Sequence, residues 1–456
     1  MITPDNIQSY FARGKPWPPE EDVGPGKRIT IYDENLKLWQ RKHDEVYNVL
    51  RNLYADKEKE YNKVLFLINF HKQLSTLWAD LLFSEKPALT AGKKSRDAKG
   101  NPITPAEQTY LDSLIIRLSL WARCYAARID MSRYGAGVCK IYAEEGQPAK
   151  LQVIAPKNWY PIIGPDGEAV GHVIAWALDE KILNVEWHSD GFIQSFKTTL
   201  AEGRISSDPY DVVDIETGYP GPLVFPILNA STSEDTTGTD DYQDIDPIIK
   251  RLEITFTRTG RTLDAHSEPA FAVPEDALGP KDPVTGERNY NAKRRVFPLE
   301  EGSQIPQYIT WDGQLSASFM LIDKALTQLY TISETCRCAF EPDTLGNAIS
   351  GKALRMLMMR PLKKSERAKL QFDPALKQIL EAISVLDVKN NVPGAVLLSD
   401  IQIAWKDGLP DDDLEEATVA QTKRAAGWST KQILIEAGYD EDQADQIAQD
   451  SAGQVI

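Results

Sequence analysis

The spacing of apolar residues divides the chain into stretches of different period. Across residues 33–85 apolar positions fall three and four apart. Leu36, Trp39, Val46 and Leu50 share one helical face, and Leu65, Ile68, Leu74, Leu77, Leu81 and Leu82 form a wider stripe ended by Pro87. A further helix starts at Thr104-Pro105-Ala106-Glu107 and runs to about Tyr134. From 134 to 240 the period drops to two, in stretches such as KLQVIAPKNWYPII and ILNVEWHSDGFIQSF bounded by Gly, Pro and Asp. These are strands of a largely antiparallel sheet, with Trp159, Trp176 and Trp187 as core or interface aromatics. Ahead of all this, residues 1–32 carry Pro16, Pro18 and Pro19 and read as an extended arm that dangles or docks on a neighbour.

Beyond residue 240 the helical period returns. Asp246-Pro247 is a favourable helix start, and Ile248, Leu252, Phe256 and Leu263 give the helix to about 265 a narrow apolar stripe. A second helix over 315–339 places Phe319, Ile322, Leu326, Leu329, Ser333 and Cys336 on one face. At ~1.5 Å per residue these helices span about 30–37 Å and read as an antiparallel pair. Between them, residues 266–313 are turn-rich, with brief strand candidates AFAV, RRVF and QYIT. A break at 340–350 precedes another helical region to Leu386. A returning strand, AVLLSDIQIAW, then leads to a helix stopped by Gly427 and to short helices capped at Ser429 or Thr430. The class is α+β.

The chain has 456 residues and a net charge of −16, a balance that repels nucleic acid except where cations cluster. One such cluster is Lys352, Arg355, Arg360, Lys363, Lys364, Arg367 and Lys369, interleaved with Met356, Met358 and Met359. It reads either as the solvated side of an amphipathic helix or as a surface for weak phosphate contact or for pairing with an acidic neighbour. A smaller cluster, Lys293, Arg294 and Arg295, reads as a solvated loop or as a face for nucleic acid or a partner. The four cysteines make no disulfide framework. Cys336 and Cys338 are expected as free thiols, because no further Cys or His stands near them to complete a metal site. No signal peptide and no membrane span are expected.

No catalytic constellation, cofactor site or metal site is legible. The five histidines (43, 71, 172, 188 and 266) are scattered, and GxSxG, HExxH and CxxC are absent. His71 reads as packing, and His188, near Asp190, as a strand end. The acidic run 411–416 suits the start of a helix. Gly346–Lys352 nearly matches the phosphate-cradling loop, but Ala353 lacks the hydroxyl that would hold Mg²⁺ and no buried strand is predicted before it.

Five stretches, in this order, carry a resemblance: DMSRYGAGVCKIY, VIAPKNWYPIIGPDG, DDYQDIDPIIKRLE, GNAISGKALRMLMMRPL and LPDDDLEEATVAQTKRAAGWSTKQILIEAG. The chain resembles the portal proteins of tailed double-stranded DNA bacteriophages and prophages, of the kind typical of long-tailed siphoviruses. The resemblance implies a ring, usually of twelve subunits, at one capsid vertex of the virion, assembled in the host cytoplasm. It implies an arm (1–32), a wing (33–240), two stem helices (241–265 and 314–339) and a clip between them (266–313). A tunnel loop, helix and returning wing strand would follow (340–410), then a helical crown (411–456). It further implies non-specific passage of double-stranded DNA for packaging and ejection, and docking of terminase, the head–tail connector, and major capsid and scaffolding proteins. On this reading Lys352, Arg355, Arg360, Lys363, Lys364 and Arg367 face the tunnel or a neighbouring subunit, and Lys293, Arg294 and Arg295 face clip partners. The alternatives are another structural virion protein, such as a minor head or connector protein, and a packaging ATPase.

Overall fold

The computed structural model describes residues 2–52, 65–93, 95–96, 102–179, 181–230, 232–233, 235–267, 270–274, 283, 296–299, 307–309, 315–341, 351–406, 408, 413–436, 444–445 and 447–448. Helices and mainly antiparallel strands alternate along it, an α+β fold. The chain falls into two compact units: Met1–Trp39, His71–Tyr242 and Glu334–Ile456 in one, and Gln40–Phe70 and Gln243–Ser333 in the other.

In the first unit the helix Leu120–Tyr134 turns directly into the strand Ala136–Tyr142 through Gly135, whose φ of +85° favours glycine. That strand is the middle of a three-stranded antiparallel sheet, flanked by Val224–Leu228 and Lys150–Ile154. Helix and strand lie so close that a Cβ on Gly137 would stand 2.4 Å from the Ala127 carbonyl oxygen. The long helix Met359–Lys389 completes the core. Its Phe372, Leu376, Ile379, Leu380 and Ile383 join Leu111, Leu114, Ile141 and Leu151 in one buried cluster. Asp387, near its end, is fully buried and accepts bonds from the Tyr110 hydroxyl (2.6 Å), the Ala149 amide (2.7 Å) and Arg117.

A larger six-stranded sheet packs beside it. Trp159–Ile163, Ala169–Leu178, Ile182–Ser189 and Phe192–Ala201 run as an antiparallel meander, and Arg204–Ile205 and Tyr210–Glu216 both pair with Phe192–Ala201. Trp159 is buried between the sheets with Ala136, Val138, Ile174 and Val224, while Trp176 and Trp187 are partly buried against the cores.

The N-terminal segment is not the loose arm that its prolines suggest. Ile2, Ile7, Phe11 and Trp17 are buried against Tyr160, Ile162, Val173, Leu183 and Val185 of the larger sheet. The Phe11 and Trp17 rings stand 5.2 Å apart, and Trp17 lies 5.2 Å from Tyr160. Arg28 pins the end of this segment, donating to the Trp159 carbonyl at 3.0 Å and pairing with Asp22. Prolines forbid a long helix but leave apolar side chains available for a sheet face, and that face is what they cover.

The second unit holds the helices Asp246–Ser267 and Leu315–Ile332, which pack on one another. Its three-stranded sheet, Val296–Leu299, Ala270–Pro274 and Gln307–Ile309, uses the strand candidates read between them. Two predictions are corrected. Residues 65–69 are not helical, because the Ile68 amide donates to Glu253 Oε1 at 2.7 Å and the Phe66 amide to Thr257 Oγ1 at 3.2 Å; the helix begins only at Phe70. Glu253 is itself buried and bonded to His43 Nδ1 at 2.7 Å. The helix from Leu315 stops at Ile332, well short of residue 339, since Glu334 takes a left-handed φ of 58°.

Near the end of the chain, the returning strand shrinks to Gln402–Ala404, paired with Ala88–Thr90. The helix Asp413–Ala425 is followed by Gly427 at φ +89°, and Ser429 caps Thr430–Glu436 by accepting the Gln432 amide at 3.2 Å while Gln432 returns the bond.

Two outcomes are expected. Gly137→Ala destabilises the protein by about 1–3 kcal/mol in urea denaturation, because the methyl meets backbone. Phe11→Ala with Trp17→Ala speeds tryptic cleavage after Arg13 by an order of magnitude or more, because packing of the segment against the sheet is what holds that bond away from the protease; unchanged cleavage would overturn the packing of the segment.

Candidate functional site

The cationic run lies on a short helix, Gly351–Leu357, and the first turns of Met359–Lys389. On the longer helix Pro361, Ser365, Ala368 and Phe372 point into the core. This sets Arg360, Lys363 and Arg367, three and four residues apart, on the opposite face, where all three are exposed, as is Arg355 before them. Met356 (69% exposed), Met359 (59%) and Leu370 (72%) flank these cations on the surface.

The run therefore splits into two populations. Arg367 is exposed but forked onto the Glu334 carboxylate at 2.7 and 2.6 Å. Lys369 turns inward, to Glu366 (2.7 Å) and the Lys406 carbonyl (2.8 Å). Lys364 is committed inside its own chain. Its Nζ lies 2.9 Å from Asp241 and 4.7 Å from the Trp78 ring centroid. The description of Lys352 covers its backbone only, and Lys293, Arg294 and Arg295 lie outside the described residues.

Asp241 is the buried counterpart that sequence reasoning missed. Its carboxylate also accepts from Ser132 Oγ (2.7 Å) and Asn229 Nδ2 (2.9 Å). Burial works to raise its pKa, but Lys364, Arg128 and the hydrogen bonds outweigh it and hold the carboxyl below its ordinary value. Arg128 is itself fully buried, and its charge faces Asp241. No local motif announces this cluster, because its members come from four separate parts of the chain.

The remaining candidates resolve into structure. His188 is buried and its Nε2 is engaged by Glu186 at 3.3 Å, which also pairs with Lys140 at 2.7 Å; Nδ1 has no partner among the described residues. Burial pushes His188 down, and His172 down to about 3. His71 is buried edge-on to Tyr242. A cavity of about 400 Å³ beside His188, lined by Tyr142, Glu186, Ser195, Lys389 and Asn390, contains no activated group. Most of the phosphate-loop look-alike Gly346–Lys352 lies outside the described residues, which before it end in a 3₁₀ turn at Arg337–Ala339 and residues 340–341. No group of three or more His, Cys, Asp or Glu suited to a metal occurs among the described residues. None of the described helices is long and apolar enough to cross a membrane.

Cys336 and Cys338 are joined to one another and are not free thiols. The predicted helix would have separated their side chains; the end of that helix at Ile332 lets an extended Cys336 and the 3₁₀ turn Arg337–Ala339 bring the sulfurs together.

Lys364→Ala leaves Asp241 buried without its nearest cation. The expected cost is about 3–5 kcal/mol in urea denaturation, whereas Lys363→Ala changes stability little. The pH dependence follows from the lowered carboxyl. The Asp241 contribution is complete above the unfolded value near ~4 and is lost as pH falls through the lower folded value. In Lys364→Ala that loss begins at higher pH.

No curated protein matches the chain. Among solved structures it is similar to "Neck of empty GTA particle computed with C6 symmetry" and "Neck of native GTA particle computed with C12 symmetry". Each has 15% identity and a TM-score of 0.47, over 95% of this chain and 98% of the other. It is also similar to "Virion of native gene transfer agent (GTA) particle", with 14% identity and a TM-score of 0.42 over the same shares. The family model described as "Phage portal protein, SPP1 Gp6-like" matches residues 27–455, nearly the whole chain. The chain belongs to that family of phage portal proteins.

Proposed function

We propose that this portal protein forms a ring of about twelve subunits at one capsid vertex of a virion and serves there as a channel for double-stranded DNA. The observation that carries the reading is the match to the portal family from residue 27 to residue 455. The surface supports it. The helix Leu315–Ile332 exposes Phe319 (53%), Met320 (66%) and Leu321, apolar positions that a single subunit leaves wet and a ring neighbour would cover. On this reading the helices Asp246–Ser267 and Leu315–Ile332 are the stem, the sheet between them the clip, and residues 413–436 part of the crown.

The role is structural and not enzymatic. DNA must slide, so its contacts must be weak. A chain of net charge −16 whose described residues carry a small exposed cationic face, Arg355, Arg360 and Lys363, meets that need, since each phosphate contact is screened by salt. The break at 340–350, most of it outside the described residues, is the tunnel loop on this reading. Terminase, the head–tail connector, and major capsid and scaffolding proteins are the expected partners, the first two at the clip.

Electron microscopy of the purified protein should show rings with a central hole, and native mass about twelve subunits. Compact closed dimers would overturn the reading. Arg355→Ala, Arg360→Ala and Lys363→Ala combined should lower packaged DNA per particle several-fold while rings still assemble. A loss confined to ring assembly would assign these cations to subunit contacts.

A further inference from the structure

Three sulfur atoms converge where the turn after Ile332 meets the start of the long helix. Met358 Sδ lies 3.2 Å from Cys336 Sγ and 3.8 Å from Cys338 Sγ. Met358 is buried, whereas its exposed neighbours Met356 and Met359 face solvent. The two cysteines are half-buried, so the cluster is reachable from one side. By sequence the two cysteines lack a nearby third Cys or His; the fold supplies a third sulfur, the Met358 thioether.

We propose that Cys336, Cys338 and Met358, in the reduced chain, bind one soft monovalent cation, Cu(I). Thiolate and thioether ligands select this ion over harder ones. Three sulfurs around a trigonal ion at about 2.3 Å stand about 4 Å apart. The Met358 sulfur is already near that distance from both cysteines. The Cys336 and Cys338 Cα atoms, 5.3 Å apart, let the two Sγ atoms swing to it once they are no longer bonded. Zinc is disfavoured, because it asks for four ligands drawn from Cys, His and carboxylate, and no such group exists among the described residues. The other cysteines do not compete: Cys124 and Cys139 are buried in the core, and burial pushes both thiols up.

The chemistry balances with one external dithiol. It reduces the Cys336–Cys338 bond to two thiols and leaves as its own cyclic disulfide. Cu(I) then displaces the two thiol protons, and the Met358 sulfur donates a lone pair without redox change.

The test uses the full chain, reduced by dithiothreitol, freed of it under anaerobic conditions, and titrated with Cu(I) against a chromophoric Cu(I) chelator. One Cu(I) per chain is expected beyond that held by the double variant Cys336→Ser with Cys338→Ser. Met358→Leu, close in volume and checked for folding by circular dichroism, should bind at least about tenfold more weakly. X-ray absorption should count three sulfurs in the parent and two in Met358→Leu. Cu(I) should also shield Cys336 and Cys338 of the parent from alkylation, read by peptide mass. The assignment fails if the double variant retains as much Cu(I) as the parent, if Met358→Leu binds as tightly with the same sulfur count, or if alkylation of the parent is unchanged.

Discussion

A carboxylate taken out of water must be matched by charge and hydrogen bonds, and Asp241 sets that demand at the end of the first unit. Its partners are Lys364 on the long helix, Ser132 on the helix Leu120–Tyr134 and Asn229 after the last strand of the small sheet. Each arrives from a different element, so the ion cluster is satisfied only when all of them are in register. Asp387 makes the same demand at the far end of the long helix, through Tyr110, Arg117 and Ala149. Between these two anchors the apolar face from Ala368 to Leu386 has one placement that buries it.

This explains why neighbouring cations in one run behave so differently. Lys363 and Lys364 are equivalent as sequence, yet the helical period turns one to solvent and the other toward Asp241. A core that takes Lys364 and Lys369 out of the cationic run leaves a thinner positive surface than the sequence suggests. For the proposed channel, that restraint is useful, because affinity for a sliding polyanion grows with every phosphate neutralised.

The alternating period across 134–240, the Asp246-Pro247 helix start and the Gly427 stop were legible because each rests on a local rule, and the structure follows them. The portal family was legible from the order of several stretches, none of them chemical. What escaped depends on partners distant in sequence. Leu65 and Ile68 continue a helical stripe by spacing, but the Ile68 amide is taken by Glu253, 185 residues away. The N-terminal segment reads as an arm, dangling or docked on a neighbour, because its prolines are local, while the sheet face of its own chain that receives it is not. In the candidate site, exposure of Arg355, Arg360 and Lys363 matches the amphipathic pattern; the inward turn of Lys364 and the Cys336–Met358 approach have no local signature.

The burial of the N-terminal segment also has a consequence for synthesis. Gly14 bonds to Arg204, 190 residues later, so at roughly 5–20 residues per second the first apolar residues leave the ribosome about 10–40 s before their binding surface exists. The main core waits longer, since Tyr110 meets Asp387 only after 277 further residues, about 14–55 s at the same rate. Translation thus carries an open, adhesive first unit for most of its course, with the intervening unit made before the first is closed. Holding nascent chains apart is therefore a demand that the topology makes during synthesis.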